Sequence, residues 1–101
     1  RLISDLQNLN ILILRNHGLL TVGKTIAEAF MWMYRAERAC RFQLSFQKAG
    51  AEAQEISKSV QEVSIERARK AISSTGHRPI GDFEWPALIR KLHRQSPGFD
   101  Q

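Results

Sequence analysis

The stretch Leu12-Ile13-Leu14-Arg15-Asn16-His17-Gly18-Leu19-Leu20-Thr21-Val22-Gly23 holds a histidine in a tight turn between two short apolar runs. Ile11 to Leu14 precede the turn and Leu19 to Val22 follow it. Apolar runs this short, set on either side of Asn-His-Gly, read as two buried strands joined by turn residues. A histidine so placed has its ring fixed by the sheet and its tip at the sheet edge, within reach of a ligand or a metal. His17 is therefore the first candidate for chemistry. Gly18 suits the reversal, because a backbone that turns so sharply favours a residue without a Cβ. By itself a lone histidine beside a turn is more often structural than ligating, since a catalytic metal usually takes about three protein ligands.

Outward from the turn, Gly23 breaks the second strand, and Thr25 with Glu28 three residues later forms a capping box at the start of a long helix. The spacing predicts that this helix runs to about Gln47. Ile26, Ala29, Phe30, Met33, Cys40 and Leu44 recur at intervals of three and four along one face, and Trp32, Tyr34 and Phe42 widen the apolar surface beyond a single stripe. Such a surface is either one wide face of an ordinary core or a sign of further sequence or another subunit. Ala49-Gly50 ends the helix, Ala51 to Glu55 is a polar connection, and a second helix is expected from about Ser57 to Ile72, with Glu66 and Lys70 paired on a solvated face. Ser73 to Gly81 reads as a loop. Phe83 to Arg94 returns to helix on Trp85, Leu88, Ile89 and Leu92, with Pro86 in the first turn where a missing amide hydrogen costs little. Arg1 to Leu6 reads as the end of a helix leading into the first strand.

Composition excludes some classes. At 101 residues and 43% apolar the chain is long enough for one domain with its own core, burying roughly 60–70% of its unfolded surface. No run of about 18 apolar residues offers a membrane span, and no basic-then-apolar leader is present. The single cysteine, Cys40, falls in the apolar stripe of the long helix and reads as buried and reduced, which fits a cytoplasmic setting. The net charge of +5 raises a nucleic-acid role for the basic helical faces around Arg35 to Arg41 and Arg90 to Arg94. Against that role, the aromatic residues lie in apolar stripes and do not alternate with the basic ones as stacking platforms.

The residues Leu12 to Gly23, continuing into Gly23-Lys24-Thr25-Ile26-Ala27-Glu28-Ala29-Phe30 and Ala36-Glu37-Arg38-Ala39-Cys40-Arg41-Phe42-Gln43-Leu44, resemble the class II aldolase/adducin family. The likeness spans roughly Leu6 to Gly50, and Glu84 to Leu92 resembles the C-terminal helix of many members. It implies an α/β fold, the three-layer α/β/α class II aldolase-like domain. Residues 1–101 would form the C-terminal part of that domain, with two short strands and about three helices. In enzymes of the family three histidines hold a divalent metal, commonly zinc, which as a Lewis acid stabilises an enediolate. His17 matches the third of those ligands. The other two, a His-x-His pair, and the catalytic glutamate stand upstream of the turn in the family, and no His-x-His occurs in this chain. The chain is accordingly either the C-terminal portion of a longer protein or a remnant folding without the metal site.

The resemblance thus implies part of a metal-dependent lyase of aldolase, epimerase or decarboxylase type, inactive by itself, acting on a small hydroxy-carbonyl or sugar-phosphate substrate. Its parent would be a homo-oligomer, a tetramer in the resembled family, with active sites at subunit interfaces. The competing implication is an adducin-like binding module without catalysis. Among the remaining candidates, Glu37 reads as a structural partner of Arg38 or Arg41, and the family's catalytic glutamate is not carried onto it. His77 reads as a solvent-exposed loop residue, and His93 as a cation favoured by the dipole at the end of its helix. Arg15 is the one basic residue placed near the site.

Overall fold

In the computed structural model, which describes residues 2–50, 52–72 and 79–101, the elements run α1 (Leu2–Leu6), β1 (Ile11–Leu14), β2 (Gly18–Thr21), α2 (Ile26–Ala49), α3 (Lys58–Ile72) and α4 (Glu84–Gln95). The expected loop around His77 lies outside the described residues. The two strands pair antiparallel, with Ile11 opposite Thr21, Leu12 opposite Leu20, Ile13 opposite Leu19 and Leu14 opposite Gly18. Beyond the strands, Val22 N–H donates to Asn10 O and Asn10 Nδ2 donates to Val22 O, each at 3.0 Å, so the side chain of Asn10 extends the ladder. The pairing makes β2 begin at Gly18, one residue before the apolar run.

Both strands were expected to be buried, and here the structure differs. Ile13 is 77% exposed while its neighbours Leu12 and Leu14 are partly covered. An apolar run of four residues conceals the alternation of a strand, so its sequence does not reveal that one face is open. The covered face meets α2, and Thr21 Oγ1 donates to Ala29 O at 2.9 Å, tying β2 to the first turn of that helix. A two-stranded ribbon alone is marginally stable, and this helix is what supports it.

The helix α2 starts as the sequence predicts. Thr25 Oγ1 accepts from Glu28 N–H at 3.1 Å, and Glu28 Oε2 reaches back to accept from Lys24 N–H at 2.7 Å, so two amide groups at the helix entrance find partners. Thr25→Ala is expected to lower the stability of the protein by about 1 kcal/mol, while Thr25→Ser restores most of it, as read from urea unfolding midpoints. At the other end α2 runs two residues past Gln47 and is closed by Gly50, whose N–H donates to Gln47 O at 3.3 Å.

The apolar stripe expected on α2 is largely uncovered. Only Met31 and Ala36 are buried apolar residues among the described positions, whereas Ile26 is 78% and Leu44 55% exposed. Cys40, expected to be buried, is half-buried and free. The reason is length: 24 residues of helix extend about 36 Å, and the hairpin and α4 reach only part of it. The helix α4 approaches near Phe30, whose ring meets Trp85 edge-on with centroids 5.3 Å apart. Pro86 sits in its first turn as expected. On α3, Lys70 Nζ pairs with Glu66 Oε1 at 2.7 Å, the pair read from the sequence, while Val60, Val63 and Ile65 remain about half exposed.

The dimensions express the same shortfall. The radius of gyration is 16.8 Å, against about 13 Å for a compact domain of this length. The accessible surface is 9088 Å², against roughly 5,800 Å² for a free-standing globule of 11.5 kDa. Folding hides about 45% of the surface of an extended chain, well below the 60–70% expected from length alone. What the described residues form is an α/β unit with a small contact zone at the start of α2, which packs on the hairpin and meets the start of α4 at Phe30 and Trp85.

Candidate metal centre

The turn between β1 and β2 presents His17 by a defined sequence of backbone steps. Leu14 O accepts from His17 N–H at 3.1 Å, which makes Leu14 to His17 a hydrogen-bonded β-turn. Its third residue, Asn16, has φ 63°, and Arg15 has negative φ, the sign pattern of a type II turn. Asparagine tolerates that left-handed conformation better than other non-glycine residues. Gly18 follows with φ 115°, a value that L side chains rarely adopt, so the glycine anticipated for the reversal is required by its backbone angle.

The imidazole is exposed at the end of the hairpin, and its Nδ1 lies 3.0 Å from Arg15 O. A carbonyl oxygen can only accept, so Nδ1 carries the hydrogen and donates. In the neutral ring Nε2 then keeps its lone pair. A hydrogen bond of this kind, from one ring nitrogen to a carbonyl, fixes the tautomer and the ring orientation, as it also does in metal-ligating histidines. A cleft of about 440 Å³ opens beside it, lined by Leu2, Asp5, Ile13, Leu14, Arg15 and His17.

Asp5 was not singled out by sequence. It lies in α1, which packs along β1, and only that packing brings the carboxylate to the wall of the cleft. No spacing signal links positions 5 and 17. Arg15, placed near the site from its position beside His17, does line the cleft. Among the described residues no three histidine, cysteine, aspartate or glutamate side chains come together in a way that could hold a metal ion.

The other candidates lie elsewhere. Glu37, read as a structural partner of Arg38 or Arg41, has a side chain 44% exposed and pairs with Arg41 one turn on. Arg38, the alternative partner, instead stacks over Tyr34 and Phe42. His93 occupies the last turn of α4 and packs edge-on against Phe99, with ring centroids 5.0 Å apart. No helix among the described residues is long and apolar enough to cross a membrane.

A family model described as the class II aldolase and adducin N-terminal domain matches residues 1–44, which take in α1, the hairpin, the turn with His17 and most of α2. A Pseudomonas aeruginosa protein named for class 2 aldolases is 43% identical over 104 residues, covering all of this chain and 39% of that protein. The chain belongs to the class II aldolase/adducin family. A Caulobacter vibrioides protein of the same name is 38% identical over 99 residues, covering 98% of the chain and 37% of that protein. Human β-adducin is 29% identical over 89 residues, 81% of the chain and 12% of its own length. The chain therefore spans about two fifths of the length of the bacterial class II aldolase relatives it matches. No solved structure matches it. The bacterial matches extend past residue 44 through α3, which carried none of the sequence resemblance, and α4, most of which did.

Proposed function

We propose that the chain is the C-terminal part of a three-layer α/β/α class II aldolase-like domain, and that its parent is a divalent-metal-dependent lyase-type enzyme acting on a small hydroxy-carbonyl or sugar-phosphate substrate. The observation that carries this reading is the His17 ring, tied through Nδ1 to Arg15 O with Nε2 left open beside a cleft. That donor fits a metal of the zinc class, which prefers imidazole nitrogen at about 2.0–2.1 Å. When bound, the metal would supply Lewis-acid stabilisation of the negative charge developing on substrate oxygens. His17 would hold it, the turn would orient His17, and Arg15 at the cleft wall would attract an anionic group of the substrate. The remaining ligands and the catalytic acid or base would come from sequence outside residues 1–101.

The large uncovered surface supports a homo-oligomeric parent, a tetramer on the family pattern, and the reading places that parent in the cytoplasm. The adducin-like alternative, a binding module without catalysis, is favoured by one observation, the similarity to β-adducin over 81% of the chain. Turnover separates the two. The full-length protein is expected to cleave, epimerise or decarboxylate a member of a panel of sugar phosphates and hydroxy-keto acids. A chelator should abolish that activity by about 100-fold or more, and added zinc should restore it. A folded, metal-free protein with no turnover on the panel would favour the binding module.

A further inference from the structure

The helices α2 and α4 diverge from their contact at Phe30 and Trp85 and leave a cleft of about 540 Å³ between them. Its floor is apolar, formed by Phe30, Met31, Tyr34 and Leu88, and its rim carries Lys91 and Arg94. Tyr34 also belongs to the next concavity along α2, so the surface continues to Arg38, Arg41 and Phe42. Arg38 is held by two rings: its guanidinium carbon lies 5.5 Å from the centre of the Tyr34 ring and 5.2 Å from that of Phe42, and Nη1 donates to Tyr34 Oη at 3.3 Å. Stacking orders the guanidinium while leaving edge N–H groups for a carboxylate.

The two carboxylates on this surface are already engaged. Glu84 accepts from Gly81 N–H at 3.1 Å, and Glu37 pairs with Arg41. Among the described residues Arg38, Lys91 and Arg94 form no ion pair. An apolar floor with unpaired cations along its edge is complementary to one kind of occupant. We propose that the α2/α4 cleft is a docking groove for an acidic amphipathic helix of another protein, whose apolar side chains would enter between Phe30 and Leu88 and whose carboxylates would meet Lys91, Arg94 and Arg38. A helix of 10–12 Å diameter presents such anchors at i, i+3 and i+4 along one face.

The test uses the full-length protein and two labelled helical peptides about 16 residues long, sharing one leucine face and flanked by glutamate in one and lysine in the other. Fluorescence anisotropy should show the acidic peptide bound at least about tenfold more tightly than the basic one, with affinity falling as salt rises. The double replacement Lys91→Glu and Arg94→Glu, both at exposed positions, should reverse the preference, while Lys58→Glu on α3 should leave it unchanged. Equal binding of the two peptides, or an unchanged preference in the double variant, would overturn the proposal. So would no binding by the folded protein, whether its own remaining sequence or a second copy seen by sedimentation fills the groove.

Discussion

Replacing His17 by alanine in the full-length protein is expected to reduce bound metal from about one ion per chain to near background, with the far-ultraviolet circular dichroism unchanged. The size of the effect follows from ligand number. A catalytic zinc centre holds its metal with about three protein ligands, and losing even an outer partner of a ligand costs 10–100-fold in affinity, so losing a ligand costs more. The unchanged fold follows from the position of the side chain. His17 is exposed, and its one hydrogen bond runs to Arg15 O two residues back. Removing an exposed bond of that kind costs at most about 0.5–1 kcal/mol. The Asn16 and Gly18 conformations that build the turn do not depend on the imidazole. If the variant keeps its metal at full stoichiometry, His17 is a structural residue of the hairpin and the centre lies elsewhere.

The second large effect concerns the fold. Gly81 is buried at the entrance to α4 with φ 99°, and a Cβ built on it would lie 2.9 Å from both the carbonyl carbon and the Cβ of Ala27. Two costs add at this position: a left-handed backbone angle that alanine adopts only under strain, and a methyl group pressed against helix backbone that cannot rotate away. Its amide and carbonyl are also both committed, to Glu84 Oε2 and to Trp85 N–H at 2.9 Å. Gly81→Ala is accordingly expected to destabilise the protein by about 2–4 kcal/mol or to detach α4 from α2. Detachment would separate Trp85 from Phe30 and shift tryptophan emission to longer wavelength, and a urea titration followed by fluorescence would record either outcome. An unchanged midpoint and an unchanged spectrum would show that α4 does not rest on α2 at this glycine.

How far the sequence disclosed this differs from element to element. Local signals were legible: the turn chemistry of Asn16 and Gly18, the Thr25 and Glu28 cap, the Gly50 stop and the Glu66 and Lys70 pair are each decided within four residues of chain. Burial was not legible. Periodicity marks Ile26 and Leu44 as apolar, but whether they are covered depends on what stands opposite, and the structure sets nothing against either strongly enough to bury it. The same limit hid Asp5, which reaches the His17 cleft only through the packing of α1 along β1, and the cleft between α2 and α4, which two helices with 34 residues between them create together. The histidine itself was found by its turn, while the bond from Nδ1 to Arg15 O, which supports the proposed ligand role, became visible only in the structure.

The central claim is that His17 ligates a metal through Nε2. It is tested most directly by anomalous diffraction from crystals of the full-length protein, recorded at the absorption edge of whichever divalent metal elemental analysis finds. The account predicts an anomalous peak about 2.0–2.1 Å from His17 Nε2, with Nδ1 still bonded to Arg15 O. A metal bound with His17 outside its coordination sphere would contradict the claim, as would a metal-free protein that turns over its substrate.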